Sequence, residues 1–175
     1  THLAENLSLW LSPFMGNGSP FLLRETTQFF YPPRWIALLL PLAWGVSLGP
    51  ILHLSLAAAN SAWLCRTFGI RPFVAACAGM CFAFTGTAIN LVNHTTYMVS
   101  AAWMPLIWAG ARRARSHRQR RQSLLLAGAG LGFILLGGDP QGFGIGAAIV
   151  CFEVMVPLVR RRLRIQEAAL ILGLI

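Results

Sequence analysis

The stretch Trp35–Leu64, WIALLLPLAWGVSLGPILHLSLAAANSAWL, decides the fold because it runs for 30 residues without an acidic or basic side chain other than one histidine. A continuous helix of this length would be about 45 Å long, more than the roughly 30 Å hydrocarbon core of a bilayer requires. Pro41 and the pair Gly49-Pro50 are expected to kink it or to split off an interfacial piece, since proline removes a backbone donor. The sequence therefore predicts a transmembrane segment here.

Apolar runs of this kind recur along the chain and predict an all-α, polytopic transmembrane helical bundle. Hydrophobic residues make up 56% of the sequence and charged residues 11%, whereas a soluble domain carries about 25% charged residues. Residues 1–34 are predicted to form a long first extracytoplasmic loop that caps a cavity, and residues 35–175 to form the transmembrane region. The predicted spans are Trp35–Leu64, Phe73–Leu91, Tyr97–Ala111, Leu124–Leu136 and Phe143–Val159, with the start of a sixth at Ala168.

The ends of the sequence predict a fragment. The chain begins at Thr1 without a methionine and stops at Ile175, inside an apolar run that has just begun. We therefore expect a larger polytopic protein that is truncated at both ends in this sequence.

The basic residues predict the orientation of the chain. The net charge is +9 and every basic residue counted in it is an arginine, which favours a GC-rich bacterial source. Most arginines fall into three clusters, residues 66–71, 112–121 and 160–164, each placed between apolar runs. Such clusters are typical of cytoplasmic loops, so they predict an inner-membrane protein rather than a nucleic-acid-binding one. Contacts with anionic lipid headgroups are a further interpretation of the same clusters.

Two glycine-rich stretches and one acid lie inside predicted spans. A dinucleotide site needs a strand before its glycines, a helix after them and an acid about 20 residues on, whereas GAGLG at Gly128–Gly132 and GFGIG at Gly142–Gly146 both lie within apolar spans. Their G-x-x-x-G spacing instead predicts close contact between helices in lipid. Glu153 is either a functional group or a residue that faces the bundle interior, about two turns from Arg160.

Polar side chains on the predicted outward face form a candidate site. Glu25 and Asp139 are the candidate catalytic residues, because general base catalysis needs a carboxylate or an imidazole within hydrogen-bond reach of the proton. The planar fork of an arginine suits a phosphate group. The candidate substrate-binding residues are Arg24, Gln28, Tyr31, Arg34, His94 and Gln141.

Each of these residues also has a purely structural interpretation. Asp139 precedes Pro140 and fits a helix N-cap. His94 fits a solvated loop histidine, and Arg34 fits an anchor at the lipid headgroups. Glu25 fits a surface ion pair with Arg24 or Arg34.

Three stretches resemble YfhO-type bacterial membrane proteins. LWLSPFMGNGSPFLLRETTQFFYPPRW, from Leu9, resembles the first large extracytoplasmic loop of that family. FAFTGTAINLVNHTTYMVSAAWMPLIW, from Phe82, resembles the region that follows it. LLGGDPQ, from Leu135, resembles a Gly-His-Pro-Gln loop, with Asp139 where a histidine is common. The matches occur in the right order and cover most of the chain.

The resemblance implies a fold and an activity like those of GT-C glycosyltransferases, which are polytopic, helical and use polyprenyl-phosphate-linked sugars. It implies sugar transfer on the extracytoplasmic face, with Tyr31 and the tryptophans available to stack on sugar. Arg24 or Arg34 would stabilise the departing lipid phosphate, with or without a divalent metal. His94 and Asp139 would line the pocket, while the early acid of such enzymes would precede this fragment.

Two other functions stay open. A transporter or flippase of lipid-linked saccharides would favour inverted repeats and broken helices, and no convincing repeat is present. A non-catalytic membrane scaffold is the third interpretation. The expected partners are the lipid bilayer and a lipid-linked sugar donor, not nucleic acid.

Overall fold

The computed structural model describes residues 11–12, 19–20, 28–116, 120–159 and 172–173. Most of the predicted loop 1–34 and of the sixth span from Ala168 lies outside these residues, as do Arg24 and Glu25. A short antiparallel bridge pairs β1 (Leu11–Ser12) with β2 (Ser19–Pro20). All longer elements in the described part of the chain are helical.

Helices occupy all five of the predicted spans. A short α1 precedes the long α2, a broken pair follows, and three further helices lie between residues 95 and 159. The bounds are α1 Pro32–Leu38, α2 Leu42–Thr67, α3 Pro72–Ala83, α4 Gly86–Asn90, a 3₁₀ turn Leu91–Asn93, α5 Thr95–Arg113, α6 Arg120–Leu136 and α7 Pro140–Val159.

Two of these helices are long and apolar enough to cross a membrane. They are Ala43–Thr67, within α2, and Pro140–Pro157, within α7. A third candidate arises if α3 and the segment Gly86–Asn93 are taken together as one span, which is bent by 45°. The structure therefore supports membrane-spanning helices, and their number among the described residues is two or three by length and composition.

The prolines of the first predicted span act differently from one another. The chain breaks between α1 and α2, where Pro41 occupies the N-cap position of α2. Pro50 lies inside α2, and the helix continues through it. Because proline has no N–H group, the carbonyl of Val46 loses the donor that position 50 would otherwise supply.

The central helix is α5, which packs against α2, α6 and α7, while α3 packs mainly against α2. Asn60 Nδ2 donates to the carbonyl of Ala102 at 2.8 Å, and Arg112 Nε lies 3.5 Å from the carbonyl of Thr67. These two contacts follow the same order along both helices, so α2 and α5 run parallel. The core beside them contains Ile107, Ala111, Leu131, Ile134 and Val150.

Small residues allow α5, α6 and α7 to approach closely. A Cβ atom on Gly146 would lie 2.8 Å from Leu131 Cδ2, and one on Gly142 would collide with the Ser100 side chain. The predicted helix contact through Gly142 and Gly146 is therefore confirmed. For Gly128 and Gly132 no such contact is present among the described residues, where both face open space.

Glu153 is a buried ion-pair partner at the arginine-rich end of the bundle. Its carboxylate pairs with Arg115 and accepts a hydrogen bond from Trp108 Nε1 at 2.7 Å. Pro157 cannot donate to the Glu153 carbonyl, and Arg115 Nε donates to that carbonyl at 3.1 Å instead. Glu153 therefore faces the bundle interior, as the structural interpretation predicts, and Arg160 lies outside the described residues.

Candidate functional site

A cavity of about 540 Å³ lies at the end of the bundle opposite Arg66 and Arg112. Its walls come from three places in the chain: the segment that leads into α1 together with the first turn of α1, the first half of α2, and the start of α5 with the turn before it. The lining residues are Gln28, Tyr31, Pro33, Arg34, Val46, Ser47, Gly49, Pro50, His53, Val92, Asn93, Thr95 and Met98. Three predicted substrate-binding residues, Gln28, Tyr31 and Arg34, thus meet in one cavity.

A chain of hydrogen bonds crosses the inner wall of this cavity. Trp103 Nε1 donates to the Tyr31 hydroxyl at 2.8 Å, and the same hydroxyl lies 2.8 Å from His53 Nε2. His53 Nδ1 lies 2.7 Å from the carbonyl of Gly49. We refer to Trp103, Tyr31, His53 and Gly49 as the relay.

The chemistry of the two ends fixes the protons of the relay. An indole N–H can only donate and a carbonyl can only accept. The Tyr31 hydroxyl therefore accepts from Trp103, and among the described residues His53 Nε2 is the acceptor within reach of its own proton. In this arrangement His53 is neutral, carries its proton on Nδ1 and donates that proton to Gly49.

Burial keeps the Tyr31 hydroxyl protonated. Loss of water around the side chain raises the pKa of Tyr31 to about 12, although the hydrogen bond from Trp103 acts in the opposite direction. The ring also packs edge-on against Phe133 with a centroid distance of 6.1 Å. Tyr31 is therefore held as a neutral donor and acceptor at physiological pH.

Gln28 links the segment before α1 to the end of α6 through a hydrogen bond. Its Nε2 donates to the carbonyl of Gly137 at 2.9 Å, and its φ of 50° lies in the left-handed region. That conformation is uncommon for residues other than glycine and indicates a position fixed by its surroundings. The backbone carbonyl of Gln28 also accepts from the Tyr31 amide at 3.1 Å, which places Tyr31.

Arg34 supplies the positive charge of the cavity. Its side chain is exposed, and its guanidinium makes no hydrogen bond to the described residues. Ser47, Asn93 and Thr95 add hydroxyl and amide groups to the same lining. The cavity can therefore offer an anion a two-pronged donor and a polyhydroxylated group several hydrogen bonds.

Asp139 lies outside this cavity, in a separate cleft of about 280 Å³ that Gln141 also lines. Its Oδ1 accepts from the Gly142 amide at 2.8 Å, and its Oδ2 accepts from the Ser100 hydroxyl at 2.5 Å. The N-cap interpretation is thus confirmed. Since both carboxylate oxygens are used inside the fold and only 4% of the residue is exposed, the geometry does not favour Asp139 as a general base.

His94 lines neither the cavity nor the cleft. It occupies the N-cap position of α5, is exposed, and its ring lies 6.1 Å from that of Tyr97. This agrees with the interpretation of a solvated loop histidine. The single outward site predicted from the sequence is therefore divided among three places, and its members Arg24 and Glu25 fall outside the described residues.

His53 and Trp103 were not predicted as site residues. A signal for His53 was present, because an ionisable side chain inside an apolar span is a functional candidate by default. For Trp103 no such signal exists, since its role comes from a hydrogen bond to a residue 72 positions away. Within the described ranges, no group of three or more His, Cys, Asp or Glu side chains is placed to hold a metal ion.

The chain matches no known protein-family model, no curated protein and no solved structure.

Proposed function

We propose that this chain belongs to a polytopic membrane glycosyltransferase of GT-C type, which transfers a sugar from a polyprenyl-phosphate-linked donor. The observation that carries the proposal is the cavity itself. It combines one exposed guanidinium with a histidine, a tyrosine and several hydroxyl and amide groups at the end of an apolar helix. Phosphate and sugar are the two chemical groups that such a lining recognises together.

The exposed surface supports placement in a bilayer. Large apolar side chains, among them Trp44, Ile51, Phe73, Leu125 and Phe152, are more than half exposed. In water such a surface would aggregate, whereas lipid tails solvate it. By the arginine bias we assign the arginine-rich end to the cytoplasm and the cavity to the extracytoplasmic face of a bacterial inner membrane.

The transfer step uses groups of the cavity in defined roles. The acceptor oxygen attacks the anomeric carbon, and the bond between that carbon and the lipid phosphate oxygen breaks. Arg34 stabilises the charge that develops on the departing phosphate. Tyr31 takes the acceptor proton while passing its own to His53 Nε2, which is already the accepting nitrogen in the relay.

A transporter or flippase of lipid-linked saccharides is the second candidate. The observation that favours it is the 45° bend between α3 and the segment Gly86–Asn93, since broken helices line many transport sites. The continuous course of α2 through Pro50 removes the other break that would support this alternative.

The test is a transfer assay with labelled polyprenyl-phosphate sugars on the protein reconstituted in lipid vesicles. We expect Arg34→Gln to lower kcat by about 10² to 10³, as for loss of a donor to developing charge. Arg71→Gln, which removes an exposed arginine outside the cavity, is the matched control and should leave kcat within about twofold, as exposed charges contribute little. Glu25→Gln and Asp139→Asn test the two carboxylates predicted from the sequence.

The results separate the three functions. Sugar transfer that Arg34→Gln impairs and Arg71→Gln spares supports the enzyme. Movement of labelled lipid between leaflets without transfer supports the transporter. Absence of both activities with every donor supports the scaffold and contradicts the proposal.

A further inference from the structure

A second pocket lies at the arginine-rich end of the bundle and has no part in the proposed transfer. It has a volume of about 420 Å³ and is lined by Thr67, Arg112, Arg113, Arg115 and Ser116. We propose that this arginine pocket binds the phosphate diester of an anionic phospholipid headgroup, with Arg112 as the principal contact. The proposal depends on placement in a membrane but not on glycosyl transfer.

Arg112 is held in a fixed plane at the pocket wall. Its guanidinium carbon lies 3.9 Å from the centre of the Phe68 ring, and its Nε is 3.5 Å from the carbonyl of Thr67. A stacked guanidinium keeps its edge available for hydrogen bonds while one face is covered. The two terminal nitrogens of Arg112 make no hydrogen bond to the described residues, so both can bind one phosphate.

The charges around the pocket favour an anion. Arg115, which lines the pocket, is paired with Glu153. Arg112 has no carboxylate partner within the described part of the chain. The other described acid, Asp139, lies at the opposite end of α7 and is engaged with Ser100. The pocket therefore contains a fixed, partly desolvated cation at which a phosphate would replace water.

The aromatic rings around the pocket support its placement at headgroup depth. Arg113 lies over the Trp63 ring at 5.4 Å, and the Phe68 ring meets Trp108 edge-on at 6.2 Å. Tryptophan is enriched where apolar core and headgroups meet, and basic pockets between helices at this depth bind lipid headgroups. This surrounding favours a lipid phosphate over a phosphate free in water.

The experiment measures lipid retained by the protein after reconstitution in nanodiscs of phosphatidylcholine with a minor fraction of phosphatidylglycerol. Native mass spectrometry counts the phosphatidylglycerol that remains bound on release from the disc. We expect Arg112→Gln to lower retention about tenfold, the loss expected for charge-assisted hydrogen bonds, and Arg71→Gln to change it by less than about twofold. Arg112→Lys keeps the charge without the planar fork and should give an intermediate loss.

Further measurements in the same experiment distinguish a lipid phosphate from free phosphate and show which result would contradict the proposal. Retention that resists millimolar inorganic phosphate supports the lipid, whereas displacement by it contradicts a lipid ligand and assigns the pocket to free phosphate. Equal losses for Arg112→Gln and Arg71→Gln would show diffuse attraction and overturn the site. Thermal unfolding of each variant shows whether it is folded. If Arg112→Gln does not fold, the retention measured for Arg112→Lys decides the outcome.

Discussion

Tyr31 joins the segment before α1 to two other helices through a single hydroxyl group. That group accepts from Trp103 of α5 and donates to His53 of α2, and both contacts measure 2.8 Å. Tyr31→Phe would leave a buried donor and a buried acceptor without partners. We expect the free energy of unfolding to fall by about 1–3 kcal/mol, the usual cost of unsatisfied buried groups.

Thermal or denaturant unfolding in detergent measures this change. Tyr97→Phe is the matched control, because Tyr97 is half exposed and belongs to a different cleft. Its effect should stay within about 0.5 kcal/mol, as for most surface substitutions. Equal effects of the two variants would contradict the structural importance of the relay.

Alkaline pH provides a second measurement on the same residue. Burial raises the pKa of Tyr31 to about 12, above its ordinary value of 10.0. Because the unfolded chain loses this proton first, the stabilisation is complete below pH 10 and disappears as the pH rises towards 12. The difference between wild type and Tyr31→Phe should therefore shrink across this interval, and a constant difference would contradict the assignment.

At the residue scale, the sequence was sufficient only where the partner is local. Asp139 could be predicted as an N-cap because the amide it binds lies three positions ahead, at Gly142. His53 and Tyr31 are 22 positions apart in the sequence, and no local pattern encodes their contact. Prediction of the relay required the packing of α2 against α5.

At the scale of the element, Gly110 sets the separation of α5 and α6. A Cβ atom at this position would lie 2.7 Å from the backbone carbonyl of Ser123, which cannot rotate away. We expect Gly110→Ala to destabilise the protein by about 1–3 kcal/mol through overpacking.

Gly128→Ala is the control for that variant, because Gly128 faces open space within a helix. Alanine should there stabilise the protein by up to about 1 kcal/mol, since glycine disfavours a helix interior. Unfolding measurements on both variants decide the matter, and a neutral Gly110→Ala would show that the two helices can separate without cost.

The hydrophobic runs predicted the positions of the helices, but they did not predict the break within Phe73–Leu91. Phe73–Leu91 was predicted as one span, but the chain bends after Phe84. A new helix, α4, begins after Thr85, because the Thr85 hydroxyl caps it by accepting a hydrogen bond from the Ala88 amide at 3.2 Å. The pair Thr85-Gly86 was the sequence signal for this break. It was overlooked because the residues on both sides are apolar and continue the predicted span.

For the whole molecule, the arginines of distant loops come together at one end. Arg112 contacts Thr67, and Arg115 contacts Glu153, so the ends of α2, α5 and α7 share that region. This agrees with the predicted grouping for the clusters at residues 66–71 and 112–121, while the predicted third cluster, residues 160–164, lies outside the described residues. Residues of the opposite loops, by contrast, separated into a cavity and a cleft, because helix packing decides which loop tips touch.

The orientation proposed here can be measured with two reporter positions. In a variant without native cysteines, Asn93→Cys and Ser116→Cys place single thiols at exposed sites at opposite ends of the bundle. An impermeant maleimide applied to intact cells with a permeable outer membrane should label position 93 only, and position 116 should react only in inverted vesicles. Labelling of both positions from one side would contradict the proposed topology.

The order in which these helices are synthesised differs from their order in space. The α3 helix emerges between α2 and α5, yet α2 and α5 lie against each other and α3 packs mainly on the outside of α2. On the proposed placement in a bilayer, we expect newly inserted α2 and α3 to pair first and to leave one side of α2 uncovered until α5 arrives. Asn60 would during that interval lack the Ala102 carbonyl that accepts its hydrogen bond in the complete fold. We therefore expect insertion of this chain to need a temporary polar partner for Asn60.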